Sequence, residues 1–304
     1  MVISIPPAFT LTCPKKSWRP CMTGIWGDAM TTTILEQYFS DHAVRFSPLT
    51  HVSYRNSLYQ FFAFTPKSVD AVTAQDIREW MLELTRQGYT PKTLQKKLVT
   101  LRSFYRYCVT EGWTKRNPTQ SIPLPKCTEK ECYYLDREAL DRLRQISEGR
   151  LRDRAIIETF YTTGVRLNEL AHIQIHDIDF PKRQIRIWGK GKKERIVFFT
   201  RPCAELLKTY LSTRTDTLPY LFVSTRGSRI KSRSIGYLFQ KYARLLGFPV
   251  SPHTLRHTFA AHLAERGTPL ACIQDLLGHD DMENTRFYAR LFAQARKEKY
   301  DQFS

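Results

Sequence analysis

The stretch Asn117-Pro-Thr-Gln-Ser-Ile-Pro-Leu-Pro-Lys126 constrains this chain more than any other part of it. Proline fixes φ, lacks an N–H and pushes the residue before it out of the helical region. Three prolines this close can neither continue a helix nor pair as a central strand. On both sides of them apolar residues recur at helical spacing. The chain therefore has to fold as two bodies joined by an extended linker, and 304 residues are enough for both.

The first body reads as a helical bundle over residues 31–112. Ile34, Leu35, Tyr38 and Phe39 share one face, Phe46 continues it, and Pro48 interrupts. A second helix covers Val52 to Phe64. Thr73 can cap a third, with Ile77, Trp80, Met81 and Leu84 inward and Gly88 at its end. Thr90-Pro91 opens a fourth, striped by Leu94, Leu98, Leu101, Phe104, Tyr105 and Cys108 and ended by Gly112. Residues 113–132 are the linker. Residues 1–30 lack helical periodicity and lack the basic start and apolar run of a signal peptide. They read as an extension, disordered or lying ahead of a second start at Met30.

The second body, residues 133–304, opens on a helix marked by Leu135, Leu140, Leu143 and Ile146. Gln184 to Trp188 and Arg195 to Phe199 read as strands around Gly189-Lys-Gly-Lys-Lys193, with a third strand at Leu221 to Val223. Helices resume from about Arg233. The fold class is mainly α with a small β-hairpin or sheet.

Charge points to a partner. Lys and Arg total 47 against 29 Asp and Glu, for a net +18, and residues 126–304 alone hold 32 against 21. An excess carried by folded bodies attracts polyanions, nucleic acid above all, although solubility or an anionic membrane surface would use the same charge. No stretch approaches the ~20 apolar residues of a membrane span. Cysteines at 13, 21, 108, 127, 132, 203 and 272 form no CxxC pair, which suits reduced thiols in a cytoplasmic protein and not a zinc site.

Chemistry-bearing residues gather in the second body. In Thr162-Thr-Gly-Val-Arg-Leu-Asn-Glu-Leu170 an apolar helix stops at Gly164 and Arg166 stands at the start of the next. Its planar fork suits two phosphate oxygens, and Glu169, one turn on, can orient it. Alone, such a pair is an ordinary helix-surface contact. In Ser251-Pro-His-Thr-Leu-Arg-His-Thr-Phe-Ala260, His253 and Arg256 share a face, placing an acid/base group beside a phosphate-gripping group. His257 follows His253 by four, but no HExxH or nearby thiol or carboxylate completes a metal set. His257 and His262 are expected to be structural or solvent-facing. Leu276-Leu-Gly-His279 then places His279 in a turn, and Tyr288 lies on the following helix.

Taken in order, Arg166, a basic hairpin, His253-x-x-Arg256, His279 and Tyr288 resemble the catalytic domain of the tyrosine recombinases, the phage-integrase and Xer-type family. The resemblance covers about Tyr133 to Ser304, and the bundle at 31–112 is similar to the family's SAM-like core-binding domain. It implies Arg166 and Arg256 as the phosphate-gripping arginines, with Glu169 in support. Lys190 matches the hairpin lysine, with Lys192 and Lys193 beside it, and would protonate the leaving 5′ oxygen. His253 would take the proton of the nucleophile Tyr288, and His279 would bond the phosphate. The resemblance further implies a 3′-phosphotyrosine intermediate without metal, ATP or other cofactor. It implies double-stranded DNA with inverted half-sites, gripped by a C-shaped clamp, and a homo- or heterotetramer in which a C-terminal segment docks on a neighbour. Location would be cytoplasmic and nucleoid-associated, in integration, excision or dimer resolution. A type IB topoisomerase uses a similar residue set, and a catalytically silent DNA-binding protein is the other alternative.

Overall fold

A computed structural model describes residues 29–127, 132–189, 194–278 and 285–303. Residues 1–28, Lys190, Lys192, Lys193 and His279 lie outside the described residues. The chain divides into two compact units between residues 129 and 130.

The first unit is built on α1 (Ala29–Asp41), α2 (Pro48–Phe64), α3 (Ala74–Arg86) and α4 (Pro91–Thr110). Its helix starts follow the sequence closely. Thr73 and Asp76 form a reciprocal capping box, and Thr90 caps α4 with Pro91 in the first turn. Pro48 does not merely interrupt. It opens α2, capped by the Ser47 side chain on the Thr50 amide, because a first-turn N–H has no helical partner to lose. Leu35, Tyr38, Phe61, Phe62, Trp80, Leu98, Leu101 and Phe104 form the core. Its rings meet edge to face, as in Phe61–Trp80 and Tyr38–Phe104 at centroid separations of 5.1 and 5.4 Å. Ile122, inside the proline-rich stretch, is buried in this same core, so that stretch is partly packed and not wholly extended.

The second unit carries α5 (Arg137–Ile146), α6 (Leu151–Thr163), α7 (Leu167–Leu170), a 3-10 turn at Ile175–Asp177, β1 (Ile178–Asp179), β2 (Gln184–Trp188) and β3 (Glu194–Phe198). Then follow α8 (Arg201–Ser212), α9 (Ser232–Leu246), α10 (Pro252–Glu265), α11 (Leu270–Leu277) and α12 (Thr285–Phe303). The sheet is antiparallel in the order β1-β2-β3, with Ile185 opposite Val197 and Ile187 opposite Arg195. The expected third strand at Leu221 to Val223 is a correction. Those side chains are buried, but the backbone makes only isolated bridges, and its amides bond the Ile173 carbonyl and the Tyr210 hydroxyl. Ile178–Asp179 takes the third place. Helix α8, absent from the sequence reading, begins at a Thr200 cap with Pro202 in its first turn.

Helix α6 is buried on nearly every side, and its threonines hydrogen-bond their own preceding turns, as Thr159 does to the Ala155 carbonyl at 2.7 Å. Helix α10 joins two cores. Leu255 enters the main one, while Phe259, Ala260 and Ala264 pack with Ile273, Leu277 and Tyr288 in a second. Leu291 and Phe292 pack on that second cluster and Ala295 is buried. The apolar positions of the tail, expected to seat on a neighbour, therefore close this chain's own α10–α12 core. A helix with a covered apolar face is more stable than one left in water. Among the described residues no helix is long and apolar enough to cross a membrane.

Candidate active site

The site is assembled where α6, α10 and α11 end or begin. Helix α6 stops at Gly164, whose left-handed φ of 61° is open to glycine at little cost. The chain turns there and presents Arg166 as the residue immediately before α7. Glu169 closes that start: its Oε2 accepts from the Arg166 amide at 2.7 Å and its Oε1 from the Arg166 guanidinium at 3.0 Å. Glu169 thus bonds both the backbone and the fork of Arg166.

Helix α10 starts at Ser251, whose hydroxyl accepts from the Thr254 amide, with Pro252 behind it. This sets His253, Arg256 and His257 on the first turns. His253 is exposed and lines an open cleft together with Arg166, Asn168, His172, Arg186 and Trp188. Arg256 is only 2% exposed. Its guanidinium donates to the Gly164 carbonyl at 2.5 Å and to the Leu277 carbonyl at 2.7 Å. A buried guanidinium without partners would be very costly, so these carbonyls hold it in place.

Tyr288 is 3% exposed, and its hydroxyl shares a 2.7 Å hydrogen bond with His257 Nδ1. The rings of His253, His257 and Tyr288 succeed one another with centroid separations of 6.1 and 6.5 Å. His257, set aside on sequence grounds, is thus the imidazole on the phenol, and His253 is not. The one available signal was its spacing of four from His253, which puts both on one helical face. His262 does behave structurally: it is buried, and its Nδ1 lies 3.2 Å from the Tyr161 hydroxyl.

A second residue missed from the sequence is Arg195 on β3. Its fork holds both Glu169 oxygens, at 2.8 and 2.7 Å, and its Nε donates to the Leu276 carbonyl at 3.1 Å. Burial alone would raise the Glu169 carboxyl, but the bonds from Arg195 and Arg166 outweigh it and hold it below the usual carboxylate range. Arg195 shares the inward face of its strand with Val197, and an inward charge demands a partner. That was the legible signal.

Comparison with known proteins decides the family. The description "Phage integrase family" matches residues 133–295, and "Phage integrase, N-terminal SAM-like domain" matches residues 35–112. The chain belongs to the phage integrase family. Tyrosine recombinase XerC of Thermodesulfovibrio yellowstonii is 35% identical over 283 residues, 88% of this chain and 91% of the relative. Tyrosine recombinase XerD of Staphylococcus haemolyticus is 32% identical over 289 residues, 89% of this chain and 98% of the relative. In fold the chain is similar to a lambda integrase fragment solved as a dimer on a COC′ core site. The TM-score is 0.73 at 19% identity, covering 84% of this chain and 94% of that one. This tyrosine recombinase is an enzyme of site-specific recombination, which cleaves and rejoins DNA strands.

Proposed function

We propose that Tyr288 is the nucleophile, attacking a DNA phosphate to leave a 3′-phosphotyrosine bond that is later resolved by the freed 5′ hydroxyl. What carries this reading is the junction in α10. Adjacent residues Arg256 and His257 tie it to the α11 end and to the Tyr288 hydroxyl on α12, so the phosphate grip and the imidazole that faces the nucleophile share one rigid element. A phenol with an unperturbed pKa near 10 needs its proton removed to attack phosphorus. An imidazole at hydrogen-bond distance meets that need. Arg166 and Arg256 offer planar forks for the non-bridging oxygens and for the charge that grows in the transition state. Lys190 and His279 complete the set by family resemblance, as leaving-group acid and phosphate donor.

DNA is the substrate in this reading, held through phosphates by the basic surface of both units, with 31–112 as the core-binding part and 133–304 as the catalytic part. Four protomers on two pairs of inverted half-sites, in the cytoplasm at the nucleoid, complete the assignment. The test is Tyr288→Phe on a nicked suicide substrate. Site binding is expected to persist while the covalent adduct on a denaturing gel disappears. A surviving adduct refutes the assignment.

A further inference from the structure

We infer that Arg195 is a positioning residue of the cleavage reaction, acting with Arg166 and Arg256 as a clamp on the C-terminal end of α11. The inference rests on the reading of Tyr288 and the two arginines given above. Three consecutive carbonyls close that helix, and each accepts from a different guanidinium. Leu276 receives Arg195 Nε at 3.1 Å, Leu277 receives Arg256 at 2.7 Å, and Gly278 receives Arg166 at 3.0 Å. The last carbonyls of a helix have no partner within it and carry the negative end of its dipole, so cations there are favoured. One helix end thereby fixes the orientation of both phosphate-gripping arginines.

Arg195 is the keystone because it links Glu169 to the end of α11. Its fork holds Glu169, which in turn holds Arg166, and its Nε holds α11. Its side chain also lies flat against Gly278, where a Cβ would come within 3.4 Å of its Cδ and Nε. It stands on β3, which pairs with β2 across the sheet. Arg195 therefore sets the register between β3, Arg166 and the end of α11, without needing to contact DNA itself.

Reaction geometry is steep: a misplacement of about 1 Å can cost about 100-fold in rate. The probe is single-turnover cleavage of a nicked suicide DNA by full-length Arg195→Lys, which keeps the charge but loses the planar fork. At saturating protein the cleavage rate is expected to fall about 100-fold, with half-saturation and melting temperature close to wild type. Should the lysine variant not fold, Arg195→Met combined with Glu169→Gln leaves no lone buried charge and takes its place. A saturating rate within threefold of wild type overturns the inference. So does a loss confined to DNA affinity, or failure of both variants to fold, since Arg195 would then serve binding or stability alone. If wild-type protein itself forms no adduct, the reading of Tyr288 has failed and the inference goes with it. If wild type forms the adduct and the lysine variant matches its rate, only the inference fails.

Discussion

Gly164 is where fold and chemistry share one atom group, and Gly164→Ala tests both. Its φ of 61° lies in the left-handed region, which costs an alanine roughly 1–2 kcal/mol. A Cβ there would also meet Phe259 Cδ1 at 2.5 Å, Phe259 Cε1 at 2.8 Å and Leu277 Cδ2 at 3.1 Å. Phe259 and Leu277 are buried members of the α10–α12 cluster and cannot simply swing away, so overpacking adds about 1–3 kcal/mol. The expected destabilisation is therefore about 2–5 kcal/mol, a large share of the 5–15 kcal/mol typical of a folded domain. Gly247→Ala is the matched control in the same unit, with φ of 75° and nothing within 4 Å of the added carbon. Both substitutions stiffen the unfolded chain alike, so their difference isolates the packing cost. Native-state hydrogen exchange of α6 and α10 amides reads this difference for the second unit alone. Because the Gly164 carbonyl also receives Arg256, adduct formation should fall in Gly164→Ala and persist in Gly247→Ala. Equal stabilities within about 0.5 kcal/mol, a typical error of additivity, would refute the reasoning.

Two further outcomes are expected. His257→Gln should slow adduct formation by about 100-fold, within the range of a lost general base, while binding DNA as before; a rate near wild type would assign the Tyr288 proton to His253. Cleavage should persist in excess EDTA, because Arg166 and Arg256 supply the positive charge that a divalent ion supplies in many nucleases; strict dependence on added magnesium would overturn this.

Much of the site was legible because local chemistry and spacing carried it. Arg166 and Glu169 are three apart across a helix start, and His253 and Arg256 are three apart on another. The first pair meets at its helix start, while in the second His253 is exposed and Arg256 is buried against the Gly164 and Leu277 carbonyls. Arg195 and His257 were not legible in the same way. Their partners are Glu169, Leu276 and Tyr288, which reach them from other elements, so spacing along the chain placed each on a face but did not name its partner.

The sequence by itself determined the helix starts at Thr73, Thr90 and Ser251, because a cap needs only a side-chain oxygen and an amide two or three residues away. It also determined the hairpin built on β2 and β3. Only the tertiary structure decided that Leu221 to Val223 would be buried without a ladder while Ile178–Asp179 joined the sheet, since both segments are short and their pairing depends on which backbone the fold sets beside them. Tertiary packing likewise turned the tail onto its own α10 and α11 and gathered three arginines at one helix end. Apolar area and orphan carbonyls are satisfied by whichever surface the fold brings near, and that surface lies far away in the chain.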